Sequence, residues 1–160
     1  MSEVTTRVAT MDDYEDICRL VAQGDRFHVE ILPGVFQAFS GPARSRERIA
    51  EFVESPDADF LLAEADGEAV GLLNLRKHAH PPIPMFRAHE FALIHNLVVD
   101  KNHRRRGIGT ALLDAAKQWA RDHGPVFIQI TVWAANEPAA SFYAKHGFQP
   151  LTHRMELRLD

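Results

Sequence analysis

Residues 104–110, Arg-Arg-Arg-Gly-Ile-Gly-Thr, put three guanidiniums and two glycines directly ahead of a helical pattern. A helix start leaves backbone N–H groups unpaired and carries a partial positive charge. Glycine lets a ligand reach that backbone, and arginine adds planar donors that match phosphate oxygens. The combination is suited to cradle a phosphate or pyrophosphate. Neither common nucleotide loop fits. The G-x-x-x-x-G-K-[ST] pattern is absent, and Leu112 stands where a dinucleotide loop needs its third glycine. A solvated basic turn is the competing reading of the arginines taken alone.

Histidines supply the other conspicuous chemistry. His95 is the polar exception in an alternating row of Phe91, Leu93, His95, Leu97 and Val99. Its ordinary pKa suits proton transfer near neutrality. His78, His80 and His89 fall in the same part of the chain. They come without cysteines, an H-E-x-x-H pattern or a closed ligand set, so no metal is expected.

The hydrophobic pattern predicts the elements that must hold these residues. Residues 5–10 read as a short strand. Residues 10–23 read as a helix capped by Thr10, striped by Tyr14, Ile17, Leu20 and Val21, and stopped by Gly24. Residues 25–43 then form a long connection, of a length that is often functional. A short helix follows over 44–54. Asp66-Gly67 between two apolar runs marks a hairpin. Residues 90–99 form a strand whose alternating row lies on one face. A helix runs from about Gly107 to His123, stopped by Gly124-Pro125. Residues 126–133 have few polar positions and read as a central strand. Asn136, Pro138 and Gly147 suit the cap, first turn and end of another short helix. Residues 151–159 close the chain as a strand. The expected order is β-α-α-β-β-β-α-β-α-β, an α+β fold around a mixed, mostly antiparallel sheet.

Length and composition agree with a single domain over residues 1–160. Hydrophobic residues make up 46% and charged residues 25%, which is ordinary globular usage. With 18 bases against 22 acids, the net charge of -4 argues against a nucleic-acid partner. The single cysteine, Cys18, excludes an internal disulfide. No apolar run approaches the about 18 residues of a membrane span, and the N-terminal stretch has no signal-peptide core. A cytoplasmic location and no membrane partner are therefore expected.

Two motifs in register carry a family resemblance. LVVDKNHRRRGIGTALL resembles the acetyl-CoA-binding core of the GNAT N-acetyltransferase superfamily, with Arg104-x-x-Gly107-x-Gly109 matching its [QR]-x-x-G-x-[GA] motif. NEPAASFYAKHGF is similar to the family's N-x-x-A-x-x-x-Y-x-x-x-G-F helix through Asn136, Ala139, Tyr143, Gly147 and Phe148. The match is most specific over residues 90–150 and architectural over 1–88.

The resemblance implies a GNAT-like acyltransferase fold and acetyl-CoA as co-substrate. In such a protein Arg104 opens the motif, and the backbone of Arg105, Arg106, Gly107, Ile108, Gly109 and Thr110 holds the pyrophosphate. The preceding strand splays at a bulge, assigned here to Leu97, Val98 and Val99. Its free backbone pairs with the pantetheine arm. The N–H of Leu97 is the expected oxyanion donor, and Asn136 touches the cofactor arm. Tyr143 protonates the departing thiolate, a feasible step between groups of pKa near 10 and 8.5. The acceptor, a small-molecule amine or a peptide N-terminus, must attack as the neutral amine. His95 is the candidate base; Glu90 acting through water is the alternative. Phe27, His28, Glu30 and Phe36 are expected on the acceptor side. Dimers are common in such families, so a homodimer is a further expectation. A non-catalytic module that binds or senses acyl-CoA is the competing class.

Overall fold

A computed structural model of the chain describes residues 2–160. Its centre is a five-stranded sheet in the order β1-β2-β3-β4-β5. The strands are β1 (Thr5–Val8), β2 (Ala58–Ala65), β3 (Glu68–Ala79), β4 (Glu90–Val99) and β5 (Phe127–Ile130). The first four run antiparallel to their neighbours, and β5 joins β4 in parallel. The sheet is thus mixed and mostly antiparallel, as the α+β reading requires. The β2–β3 hairpin turns through Asp66 (φ 53°) and Gly67 (φ 79°), left-handed positions that a two-residue turn demands.

Helices cover both faces. On one face, α1 (Tyr14–Ile31) and α2 (Arg46–Val53) bury Ile17, Leu20, Ile49 and Phe52 against Phe60, Leu62 and Leu72. On the other, α3 (Ile108–His123) and α4 (Glu137–Lys145) place Ile108, Leu112, Ala116 and Tyr143 against Leu61, Leu73, Leu75 and Ile94. Burial of this kind contributes roughly 1.5–3 kcal/mol per large apolar side chain.

Three expectations are corrected. Gly24 does not end the first helix, which continues to Ile31. A Cβ at Gly24 would lie 3.0 Å from Val98 Cγ2, so glycine is there to let α1 approach β4. Phe27, His28 and Glu30 consequently sit on a helix rather than in a loop. The strand over 126–133 is an edge of the sheet, not its centre. It is apolar because Ile128 and Ile130 pack toward α3, while Phe127 is half-exposed. The closing strand does not form: residues 148–160 carry no regular structure, and 151–160 are exposed. Their alternation needs a neighbouring strand, and this copy of the chain brings none alongside.

Candidate functional site

β4 changes character half-way along. Upstream, Phe91 to Ile94 pair with β3 on one side and with β5 on the other, through Phe91↔Phe127 to Ile94↔Ile130. The β3 register then slips: Leu75 faces Ile94 and Asn74 faces Asn96, leaving His95 as an extra residue. A bulge of this kind bends and twists the strand. Beyond it, Asn96 to Val99 keep their β3 partners, and the ladder to β5 has ended. The free backbone at Leu97, Val98 and Val99 lies just past the bulge.

The bulge also resets which face each side chain uses. Ala92 and Ile94 belong to the α3 core, and Leu97 and Val99 pack against that same core. Val98 packs against the α1–α2 core. His95 stands edge-on to Phe52, at 5.3 Å between ring centroids, on the α1–α2 side. The expected single row from Phe91 to Val99 is therefore broken, and His95 does not share a face with Leu97. Two successive residues around the bulge point to one side, where Asn96 Nδ2 donates to Asn74 Oδ1 at 2.9 Å. That part-buried amide pair gives the Asn74 carbonyl its partner and pins the slip.

A cleft of about 700 Å³ opens where β4 and β5 part. This is within the usual range for small-molecule sites. Leu97, Val98 and Val99 form one wall, and the loop from Arg104 to Thr110 closes one end. Arg105 (φ 60°) and Gly107 (φ 76°) are both left-handed. Gly107 takes this conformation freely at the N-cap of α3; Arg105 holds it at a cost of about 1 kcal/mol. A Cβ at Gly107 meets no protein atom within 4 Å, so it would project into open space. Gly109 has a different reason: a Cβ there would lie 3.0 Å from Phe142 Cζ, so this glycine lets α3 and α4 touch.

The helix α4 supplies the facing wall. Asn136 caps it, its Oδ1 accepting from Ala139 N–H at 3.2 Å, while also lining the cleft. Tyr143 is 7% exposed, lines the cleft and packs between Phe142 and Phe148. Burial pushes its phenol well above the ordinary tyrosine value. His95 also lines the cleft. Its pKa is lowered by burial of the ring first, and then by nearby His78, Arg76 and Arg48. The imidazole is therefore neutral at pH 7 and able to take a proton.

Phe27 and His28 reach the cleft from α1, while Glu30, Phe36 and Arg106 lie outside its lining. Phe36 backs the wall, 5.5 Å from the His28 ring and 5.3 Å from Trp133. Glu90 lies at the far end of β4, 3.8 Å from Lys77. Sequence reasoning missed Trp133 and His146. His146 ties α4 to the loop by contacting Thr110 Oγ1 at 3.1 Å and Phe142 O at 2.8 Å. Its only sequence signal is its place beside Gly147 at the end of the tyrosine motif. Among the described residues no group of three or more His, Cys, Asp or Glu is arranged to hold a metal. None of their helices is long and apolar enough to cross a membrane.

Behind the loop, Asp100 ends β4. Its carboxylate accepts from Gln23 Nε2 at 2.8 Å, Asn102 N–H at 2.9 Å and Arg19 at 3.3 Å, with His103 Nδ1 at 3.1 Å. Burial alone would raise its pKa; the bonds from Gln23, Asn102 and His103 outweigh that and hold it at about 2. This knot fixes the direction in which the chain enters the arginine loop.

Residues 27–148 match the model of the acetyltransferase (GNAT) family. Streptothricin acetyltransferase A from Bacillus subtilis is 33% identical over 96 residues, 59% of this chain and 56% of that protein. L-amino acid N-acetyltransferase AaaT from Escherichia coli is 29% identical over 154 residues, 93% of this chain and 85% of its own. The chain thus spans little more than half the length of the first relative and most of the second. In the solved structures, a tetramutant of the BH1408 protein from Bacillus halodurans superposes with a TM-score of 0.91 at 25% identity, covering 97% of this chain and 99% of that one. The chain belongs to the acetyltransferase (GNAT) family.

Proposed function

We propose that this GNAT-family chain transfers an acetyl group from acetyl-CoA to a primary amine, by direct attack within a ternary complex. The observation that carries the reading is the parted β4–β5 pair, whose free backbone runs into the glycine loop at the start of α3. A strand edge offers N–H and C=O groups to an amide-containing arm, and a helix start offers N–H groups to its pyrophosphate. The site residues named from the sequence keep these roles as proposals.

His95, neutral at pH 7, accepts the proton that the amine loses as its nitrogen bonds to the thioester carbon. The N–H of Leu97 donates to the carbonyl oxygen as it becomes an oxyanion. Tyr143 stays protonated at any working pH because burial raises its pKa. It donates a hydrogen bond to the sulfur as the C–S bond breaks, and relays a proton to give the free thiol while solvent resupplies the phenol, so that no free tyrosinate accumulates. His95 then releases its proton. The described lining contains no Asp or Glu, and Phe27, His28 and Trp133 make part of it aromatic. That wall fits an amine on a small or peptide acceptor with an apolar flank better than a polycation.

Calorimetric titration with acetyl-CoA, followed by a screen of amines for thiol release, tests the reading. Saturable one-to-one binding and amine-dependent thiol release are expected. Absence of binding would overturn it.

A further inference from the structure

Two of the described arginines, Arg44 and Arg76, are half-buried; the others are exposed. A charge drawn away from water is normally paired. Arg44 meets this with Asp25 at 2.8 Å. Arg76 does not. Its guanidinium donates to the backbone oxygen of Glu51 at 3.2 Å, and no described carboxylate pairs with it. The Glu51 carboxylate is taken by Arg48 at 2.6 Å.

The free guanidinium lies beside the candidate base. Arg76 faces Leu93 across the β3–β4 pair, two residues before His95. The Phe52 ring of α2 joins the two: Arg76 Cζ lies over it at 4.6 Å, and the His95 ring stands 5.3 Å away. Those two spans together bound the distance from guanidinium to imidazole. Stacking on Phe52 steadies the planar fork without using its donors. Burial first, and then His78, Arg76 and Arg48, lower the pKa of His95, so the field of Arg76 reaches the base. The same field attracts an anion and repels a second ammonium on the acceptor. No Asp or Glu of the described cleft lining offsets it.

We propose that the acceptor is a short amino carboxylate, such as a free α-amino acid, whose carboxylate is received by Arg76 while its amine is presented to His95. This rests on the acetyl transfer proposed above and chooses between a small acceptor and a peptide N-terminus. Hydrogen bonds of about 3 Å at each end leave only a few bonds between amine and carboxylate. An α-amino acid separates them by one carbon. A peptide N-terminus has an amide in that place, which leaves the guanidinium without a counter-charge. One free fork matches one carboxylate in the bidentate geometry that arginine favours. The aromatic wall of Phe27, His28 and Trp133 is left for the acceptor's apolar side chain.

Thiol release from acetyl-CoA, measured with the natural L-amino acids and with the amide of each, tests this. At about pH 8 the His95 ring is neutral in parent and variants alike. At least one acid should be turned over, with kcat/KM per neutral amine about tenfold or more above that of its amide. Arg76→Gln should raise KM for the acid about tenfold while kcat and the values for the amide move little. Arg76→Lys should recover part of the loss. Calorimetric affinity for acetyl-CoA, unchanged in both variants, shows that they are folded. Amides used as well as their acids overturn the proposal, and so does an acid-to-amide ratio that Arg76→Gln leaves unmoved. Acetyl-CoA binding with transfer to no amino acid overturns it too, and leaves the cofactor cradle standing. Loss of acetyl-CoA binding in the parent would take the proposed function with it.

Discussion

The two halves of β4 differ by one residue and one partner. Upstream of His95 the strand is clasped on both sides and behaves as ordinary core, with Ala92 and Ile94 buried. Downstream it is clasped by β3 alone, and its other edge faces the cleft. The side chains on the two halves are chemically alike. Function here comes from withholding a strand rather than from adding a reactive group.

The largest effect that separates the halves is expected at Gly107. The Cβ of a valine there meets no protein atom within 4 Å, so its main cost to folding is the left-handed backbone, about 1–2 kcal/mol. Acetyl-CoA affinity should fall at least about 1,000-fold, or about 4 kcal/mol. Calorimetry beside a denaturation curve distinguishes the two losses, and retained tight binding would refute the cradle. Tyr143→Phe comes next. It should lower kcat about 100-fold while acetyl-CoA binding changes little. Equal loss of binding would make Tyr143 merely a wall.

Asp100→Asn sharpens the comparison at the downstream end. The carboxylate's pKa falls from 3.8 to about 2 on folding, equivalent to about 2 kcal/mol. Because the folded pKa is depressed, this stability is fully present above pH 4 and is lost as pH falls toward 2. Denaturant melts should show the parent and the variant converging over that window. The smallest effect is expected at His95. Its alanine variant should lose about tenfold in kcat/KM at pH 7 and the acid limb of the pH profile. That limb lies below the ordinary histidine pKa, because burial favours the neutral ring. An unchanged profile would remove His95 from the reaction.

The downstream half was legible in sequence because its loop depends on local chemistry. Gly107 caps α3, Gly124 ends it and Asn136 caps α4, each where residue type and spacing predict. The bulge was not legible. Nothing in ALIHNLVV marks the slip, because the Asn74–Asn96 bond that pins it joins residues 22 apart in sequence. Period-2 alternation therefore put His95 and Leu97 on one face when they lie on opposite ones. Gly24 misled for a related reason: local propensity says stop, and the close contact with Val98 overrides it. The tail 151–159 has a strand's pattern but finds no ladder within its own chain.

The slip at His95 has a consequence for how such a protein can vary. Insertions and deletions are usually tolerated in loops, where they alter length and little else. Here a one-residue change of reading frame inside a strand separates a sealed sheet from a hollow one. Removing His95 would leave Leu97 and Val99 on the α3 side and Val98 on the α1–α2 side, but it would take out the bulge and its bend and let the ladder with β5 run on. Every remaining side chain would be intact, and there would be no room for a guest.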